Sequence, residues 1–142
     1  MLALGIDFGR RRIGIALSDP TGTLATPLET LERRPGKRVP LSRMERIGRE
    51  RGVERLVVGL PLDLHGRETE WCGEVREMGE LLARRLGVPV SFVDERMTSV
   101  RAERAVRSLG LPKRQRERKA RVDAAAAQLI LQAWLDHPEV AR

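Results

Sequence analysis

No polar residue interrupts the run Leu56-Val57-Val58-Gly59-Leu60, and the run is too short to make a helix. A segment of this kind is a strand covered on both faces, as in a parallel sheet flanked by helices. A second buried strand is predicted over 90–93, ending at Asp94-Glu95-Arg96. Between the two, Trp71, Val75, Met78, Leu82 and Leu86 recur at helical spacing, which predicts a helix over 68–86. Gly87 ends that helix and Pro89 prevents its continuation.

The first third of the chain reads differently. Segments 2–6 and 13–17 are apolar, and Phe8-Gly9-Arg10-Arg11 between them reads as a hairpin turn. Asp19-Pro20-Thr21-Gly22 is a turn signal, with a third short strand over 23–28 and a basic loop over 29–38. Pro40 suits the first turn of a helix to about Arg51, with Leu41, Met44 and Ile47 inward. Downstream, Thr98 or Ser99 caps a helix that buries Ala102, Ala105, Val106 and Leu109. A basic loop over 111–121 and a final helix over 120–136 complete the chain. Right-handed crossovers make the two later strands parallel to the first. The expected fold class is α/β: a mixed five-stranded sheet, a three-strand meander plus two parallel strands, with helices on both faces. At 142 residues, 1–142 is expected to be a single domain.

Cys72 is the only cysteine, which excludes an intrachain disulfide and a zinc site built on several thiolates. No apolar run approaches the roughly 20 residues of a membrane span, and no basic leader precedes the first apolar stretch. A cytoplasmic protein with no membrane partner is therefore expected. The formal net charge is +7, and of 27 basic residues only Lys37, Lys113 and Lys119 are lysine. Arginine makes planar, bidentate contacts with phosphate, so this balance suits a polyanionic partner. The arginine excess, with asparagine absent and glutamine scarce, also fits a GC-rich or thermophilic genome, and the two readings are compatible. Aromatic residues are 3% and tyrosine is absent, which argues against modules that stack bases on exposed rings. A nucleic acid bound here is gripped by its backbone and shape.

Ligand sites in parallel sheets lie beyond the carboxyl ends of the strands. The first strand ends in Asp7 and the fifth in Asp94-Glu95, so acids reach one edge from separate parts of the chain. Asp123 shares a helical stripe with Ala127, Ile130 and Trp134, so it faces the sheet, where an acid needs a partner. Each acid alone has an ordinary structural explanation: a turn residue, an ion pair with Arg96, or a helix-terminus charge. Together, three carboxylates at one edge would repel one another, and a divalent cation relieves this. An all-oxygen set suits Mg²⁺ or Mn²⁺. His65 and His137 read as surface residues rather than zinc ligands.

Four blocks carry a family resemblance. They are Gly5-Ile6-Asp7-Phe8-Gly9-Arg10-Arg11-Arg12-Ile13-Gly14-Ile15-Ala16-Leu17-Ser18-Asp19, then Val57-Val58-Gly59-Leu60-Pro61-Leu62 with Gly66. Val93-Asp94-Glu95-Arg96-Met97-Thr98-Ser99 follows, and then Lys119-Ala120-Arg121-Val122-Asp123-Ala124-Ala125-Ala126 running into Leu131-Gln132. In this order the blocks resemble the YqgF/RuvX family, described both as Holliday junction resolvases and as pre-16S rRNA nucleases. The loop after Pro61 departs from the family's P-L-N-x-D-G pattern, carrying Asp63 and His65 instead.

The resemblance implies an RNase H-like fold and a catalytic, metal-binding set of Asp7, an acid of the third block, and Asp123. Glu95 is chosen for its longer reach, with Asp94 as the second choice because alternation points the two to opposite faces. The chemistry implied is Mg²⁺- or Mn²⁺-dependent hydrolysis of a phosphodiester, with two ions about 3.5–4 Å apart. Arg11, Arg12 and Arg96 stand beside the acids as candidates for nucleic-acid binding, each with a surface ion pair as its ordinary alternative. The favoured substrate is structured RNA, the 5′ end of pre-16S rRNA within the ribosome precursor. The alternatives are a resolvase acting on branched DNA and a non-catalytic nucleic-acid binder. No exposed apolar stripe commits the chain to a stable dimer, so a monomer or weak dimer is expected.

Overall fold

The computed structural model describes residues 1–33, 39–97 and 113–138, with the backbone alone at 97 and 113–123. Five strands, β1 (Ala3–Phe8), β2 (Arg12–Ser18), β3 (Ala25–Glu32), β4 (Arg55–Leu60) and β5 (Val90–Asp94), form one sheet in the order β3-β2-β1-β4-β5. The pairs β1–β2 and β2–β3 are antiparallel, while β1–β4 and β4–β5 are parallel. This is the predicted meander extended by two crossover strands. Its consequence for the site is directional: β1, β3, β4 and β5 all run the same way and end at one edge of the sheet.

Alternation along the strands divides the interior into two layers. On one face Leu4, Ile6, Phe8, Leu56, Val58, Leu60 and Phe92 are buried with side chains of α1 (Leu41–Arg51) and α2 (Glu70–Leu86). On the other, Ala3, Ala16, Val57 and Val93 are buried with Ala127, Ile130, Leu131 and Trp134 of α3 (Lys113–Asp136). Of the expected inward residues of α1, Met44 and Ile47 are buried and Leu41 is partly so. Both α1 and α2 end on glycines in the left-handed conformation, Gly52 and Gly87. Thr69 caps α2 by accepting the Cys72 backbone N–H. Among the described residues no helix is long and apolar enough to cross a membrane.

Two expectations require correction. The basic loop predicted over 29–38 begins later, because β3 runs on to Glu32 with Leu31 paired opposite Ile13. β3 is an edge strand with one solvated face, so its polar residues and Pro27 do not stop it. The loop predicted over 111–121 is helical from Lys113, so α3 starts about two turns before the expected Ala120. Lys, Arg, Gln, Glu and Ala are all good helix formers, and no glycine or proline interrupts 113–120. The segment simply lacks the apolar stripe by which helices are recognised. The helix expected to open at Thr98 or Ser99 and to bury Ala102, Ala105, Val106 and Leu109 lies outside the described residues.

Candidate active site

Asp7 occupies the penultimate position of β1 and is 2% exposed. Its antiparallel partner on β2 is Gly14. On the parallel side Ile6 pairs with Val58, so the next step of the register sets Gly59 beside Asp7. The acid is thus flanked on both neighbouring strands by residues without side chains. Gly5, two residues earlier, lies under α3, where a Cβ would sit 2.6 Å from Leu131 Cβ and 3.0 Å from the Ala127 carbonyl oxygen. Alternation therefore directs Asp7 to the face covered by α3.

Glu95 opens a single 3₁₀ turn, Glu95–Met97, immediately after β5, and is 5% exposed. A Cβ at Gly59 would lie 3.0 Å from Glu95 Oε1 and 3.1 Å from its Cγ. The glutamate consequently lies over Gly59, the strand neighbour of Asp7. The two acids thus share the α3 side of the carboxyl edge.

Asp94 turns the other way and is 6% exposed. Its Oδ1 accepts the Arg96 backbone N–H at 2.9 Å, closing the 3₁₀ turn that carries Glu95. Its carboxylate also receives the Arg96 side chain, from Nε at 3.1 Å and from a terminal guanidinium nitrogen at 2.8 Å. The bonds that the Arg96 guanidinium donates to Asp94 are the main reason it is held above its usual pKa. The same guanidinium packs on Gly66, whose φ is +76° and where a Cβ would come within 2.7 Å of it. Gly66 belongs to a turn closed by Asp63, which accepts the backbone N–H groups of His65 and Arg67, both at 2.9 Å. Asp94 and Arg96 therefore fasten the turn after β4 to the end of β5.

Asp123 lies in α3 one turn before Ala127, on the stripe that continues to Ile130 and Trp134. Trp134 stacks with Arg55 at the start of β4, and Leu131 lies on Gly5, so α3 runs against β1. Its backbone at 123 is displaced toward the carboxyl edge, where β1 and β4 end; the Asp123 side chain lies outside the described residues. Among the described residues no three of His, Cys, Asp and Glu group closely enough to hold a metal ion.

Arg11 is exposed in the β1–β2 turn and Arg12 is half-buried at the start of β2. Neither makes an ion pair among the described residues, whereas Arg96 does, with Asp94. Two motif residues turn out to serve the opposite edge. Ser18 Oγ accepts the Ala3 backbone N–H at 2.8 Å, fastening the start of β1. Asp19 receives the Thr21 hydroxyl and the backbone N–H groups of Leu24 at 3.0 Å and Thr23 at 2.8 Å. Those bonds, the Thr21 hydroxyl foremost, hold its carboxyl down to about 2. The sequence reading did not single out Gly59 as the surface beneath Glu95. A lone glycine in a run of large apolar residues was the available signal, since it marks a close approach.

A family model described as RuvX, Holliday junction resolvase, matches residues 1–137. A relative from Chloroflexus aurantiacus, named "Putative pre-16S rRNA nuclease", is 42% identical over 135 residues, 95% of this chain and 86% of the relative. One from Mycobacterium leprae with the same name is 47% identical over 135 residues, 94% of this chain and 71% of the relative. Among solved structures, T. thermophilus RuvC in complex with Holliday junction substrate matches with a TM-score of 0.61 and 19% identity. That match covers 100% of this chain and 98% of the other, and the shared fold is RNase H-like.

Proposed function

Since the chain belongs to the RuvX family, we propose that it is a metal-dependent endonuclease hydrolysing phosphodiester bonds in structured nucleic acid, with the 5′ end of pre-16S rRNA as its substrate. The observation that carries this is the pair of buried acids, Asp7 and Glu95, on one side of the carboxyl edge with glycine between them. Asp123, on the helix that covers this face, is proposed as the third member of the set.

The donors are carboxylate oxygens beside Gly14 and Gly59 of the neighbouring strands, a donor type that fits a hard cation such as Mg²⁺ or Mn²⁺. Asp7, Glu95 and Asp123 would hold it, and when bound it supplies positive charge to the phosphate and a more acidic water. The reaction is in-line attack of water on phosphorus with departure of the opposite oxygen. Rigid backbone fixes the acids beforehand: Asp7 within the sheet, Glu95 on a turn closed by Asp94. Arg11 and Arg12 are proposed to hold the flanking phosphates, while Arg96, already engaged by Asp94, keeps the Glu95 turn in place. The chain is proposed to act as one domain, monomeric or weakly dimeric, in the cytoplasm on the ribosome precursor.

The test compares wild type with Asp7→Asn, Glu95→Gln and Asp123→Asn on labelled precursor rRNA and on four-way DNA junctions, with Mg²⁺ or Mn²⁺. Lost cleavage with retained binding is expected for each variant. Paired symmetric cuts in the junction, with precursor rRNA untouched, would make the chain a resolvase. Binding without cleavage under every condition would make it a non-catalytic binder.

A further inference from the structure

Four described arginines, Arg43, Arg49, Arg76 and Arg96, each pair with a carboxylate. Among the described residues other arginines make no ion pair, Arg46, Arg51, Arg84 and Arg85 among them, but the unpaired Arg10, Arg11, Arg12 and Arg33 stand together, where β1 and β3 end and β2 begins. Two of them are held in place by something else. Arg10 lies over the Trp71 ring at 4.5 Å from its centroid, and Arg33 lies over the same ring at 5.8 Å. Arg33 also donates from its guanidinium to the Gly9 carbonyl at 3.1 Å and from its backbone to the Arg11 carbonyl at 2.7 Å. Trp71 itself is partly buried at the start of α2, packed against the apolar layer below.

Stacking on an indole fixes the plane of a guanidinium without using its N–H donors. An arginine so held has already lost much of its rotamer freedom, and its donor edge can meet a phosphate bidentately. Two such groups on one ring concentrate positive charge, and neither forms an ion pair among the described residues. An extended polyanion supplies negative charge repeatedly along such an edge. Trp71 anchors the pair on the α2 side of the sheet, whereas Asp7 and Glu95 lie on the α3 side of the same edge.

We propose that Arg10 and Arg33, stacked on Trp71, form a clamp for backbone phosphates of the nucleic-acid strand that passes this edge. The clamp rests on the reading of the edge as a nucleic-acid face. It lies outside the acid set and adds two arginines that belong to none of the proposed phosphate contacts.

Binding of the full-length chain to a fluorescent RNA hairpin and to a four-way DNA junction, in EDTA and over a range of salt, tests this without any cleavage. Each phosphate contact contributes about 0.9 to the slope of log K against log salt on duplex. The Arg10→Ala/Arg33→Ala variant is expected to lose between about one and two units of slope and to bind roughly 10- to 100-fold more weakly near 0.1 M salt. Arg84→Ala/Arg85→Ala removes the same charge from the end of α2, away from this edge, and is expected to leave the slope unchanged. Trp71→Leu keeps both charges but frees them, and is expected to weaken binding several-fold. If the double variant does not fold, Arg10→Ala alone, in an exposed turn, is expected to lose about one unit. A loss on RNA alone, DNA alone or both supports the clamp and identifies its backbone. An unchanged slope with a lowered melting temperature would mean that the arginines only shield the indole, and overturns it. So would a wild type that binds neither probe. Binding with a reduced variant slope, but no cutting in the nuclease assay, would sustain the clamp and remove only the nuclease reading.

Discussion

Substituting alanine for Gly59 would set a methyl group 2.5 Å from Ile130 Cδ1 and 3.0 Å from Glu95 Oε1. Ile130 is fully buried in the layer beneath α3, so it has little room to withdraw. Gly59→Ala is expected to cost about 1–3 kcal/mol, as overpacking does, and to lower cleavage by shifting Glu95. Urea unfolding and a cleavage assay check both parts. Gly73→Ala is the matched control: nothing lies within 4 Å of its Cβ position, so it is expected to be neutral or mildly stabilising within α2. Asp19 gives a prediction in pH. Its carboxyl is lowered from 3.8 to about 2 in the fold, so its stabilising effect is present above the unfolded value and lost as pH falls toward 2. Wild type and Asp19→Asn are therefore expected to differ by a constant amount from neutrality down to about pH 5 and to converge as pH falls from there toward 2, read by urea unfolding across that range. At this scale the positions of Asp7 and Glu95 at the carboxyl edge were legible, because carboxylates at strand ends are few. The choice between Asp94 and Glu95 was not settled by composition or motif. What the fold adds is the side each occupies: the register that pairs Gly59 with Val93 sends Asp94 to the face opposite Val93.

The elements show a similar division. β4 was legible because both its faces are buried and its apolar run is uninterrupted, and β1 and β5 because each is a short, mostly apolar stretch bounded by turn signals. β3 and the start of α3 were misjudged because each keeps polar residues in a regular element, where hydrophobic period carries no signal. What secures β3 is also invisible in local sequence. Gln132 of α3 accepts the Ala25 backbone N–H at 2.9 Å and donates to the Thr23 carbonyl at 2.9 Å, while Gln128 donates to the Ala25 carbonyl at 3.0 Å. A helix thus supplies hydrogen bonds to the outer edge of the sheet, which would otherwise offer a template for pairing with another chain. Gln132→Ala removes two of these bonds at a part-buried position and is expected to cost about 1–3 kcal/mol. Hydrogen exchange should show faster exchange at Ala25 with little change at β1. Equal acceleration across the sheet would mean that α3 as a whole had detached.

For the whole molecule, the order of elements does more than any single motif. A meander followed by two parallel crossovers brings the ends of β1 and β5 to one edge and lays α3 over it. Acids far apart in sequence are thereby concentrated in a chain whose net charge is +7. A basic protein repels divalent cations at long range, and screening weakens this beyond about 10 Å at 0.1 M salt. Local carboxylates must therefore supply the affinity, and affinity for the folded state alone appears as stability. At a cation concentration about a hundred-fold above Kd this linkage is about 2.7 kcal/mol, or roughly 5–10 °C in Tm for a chain of this length. Mg²⁺ or Mn²⁺ is expected to raise the melting temperature of wild type on that scale, while Asp7→Asn and Glu95→Gln lose most of the increment. Asp63→Asn, in the turn after β4, tests whether any acid at this edge would do, and is expected to retain it. An equal rise in all four proteins would place cation binding elsewhere on the surface, leaving the two buried acids without a ligand in common.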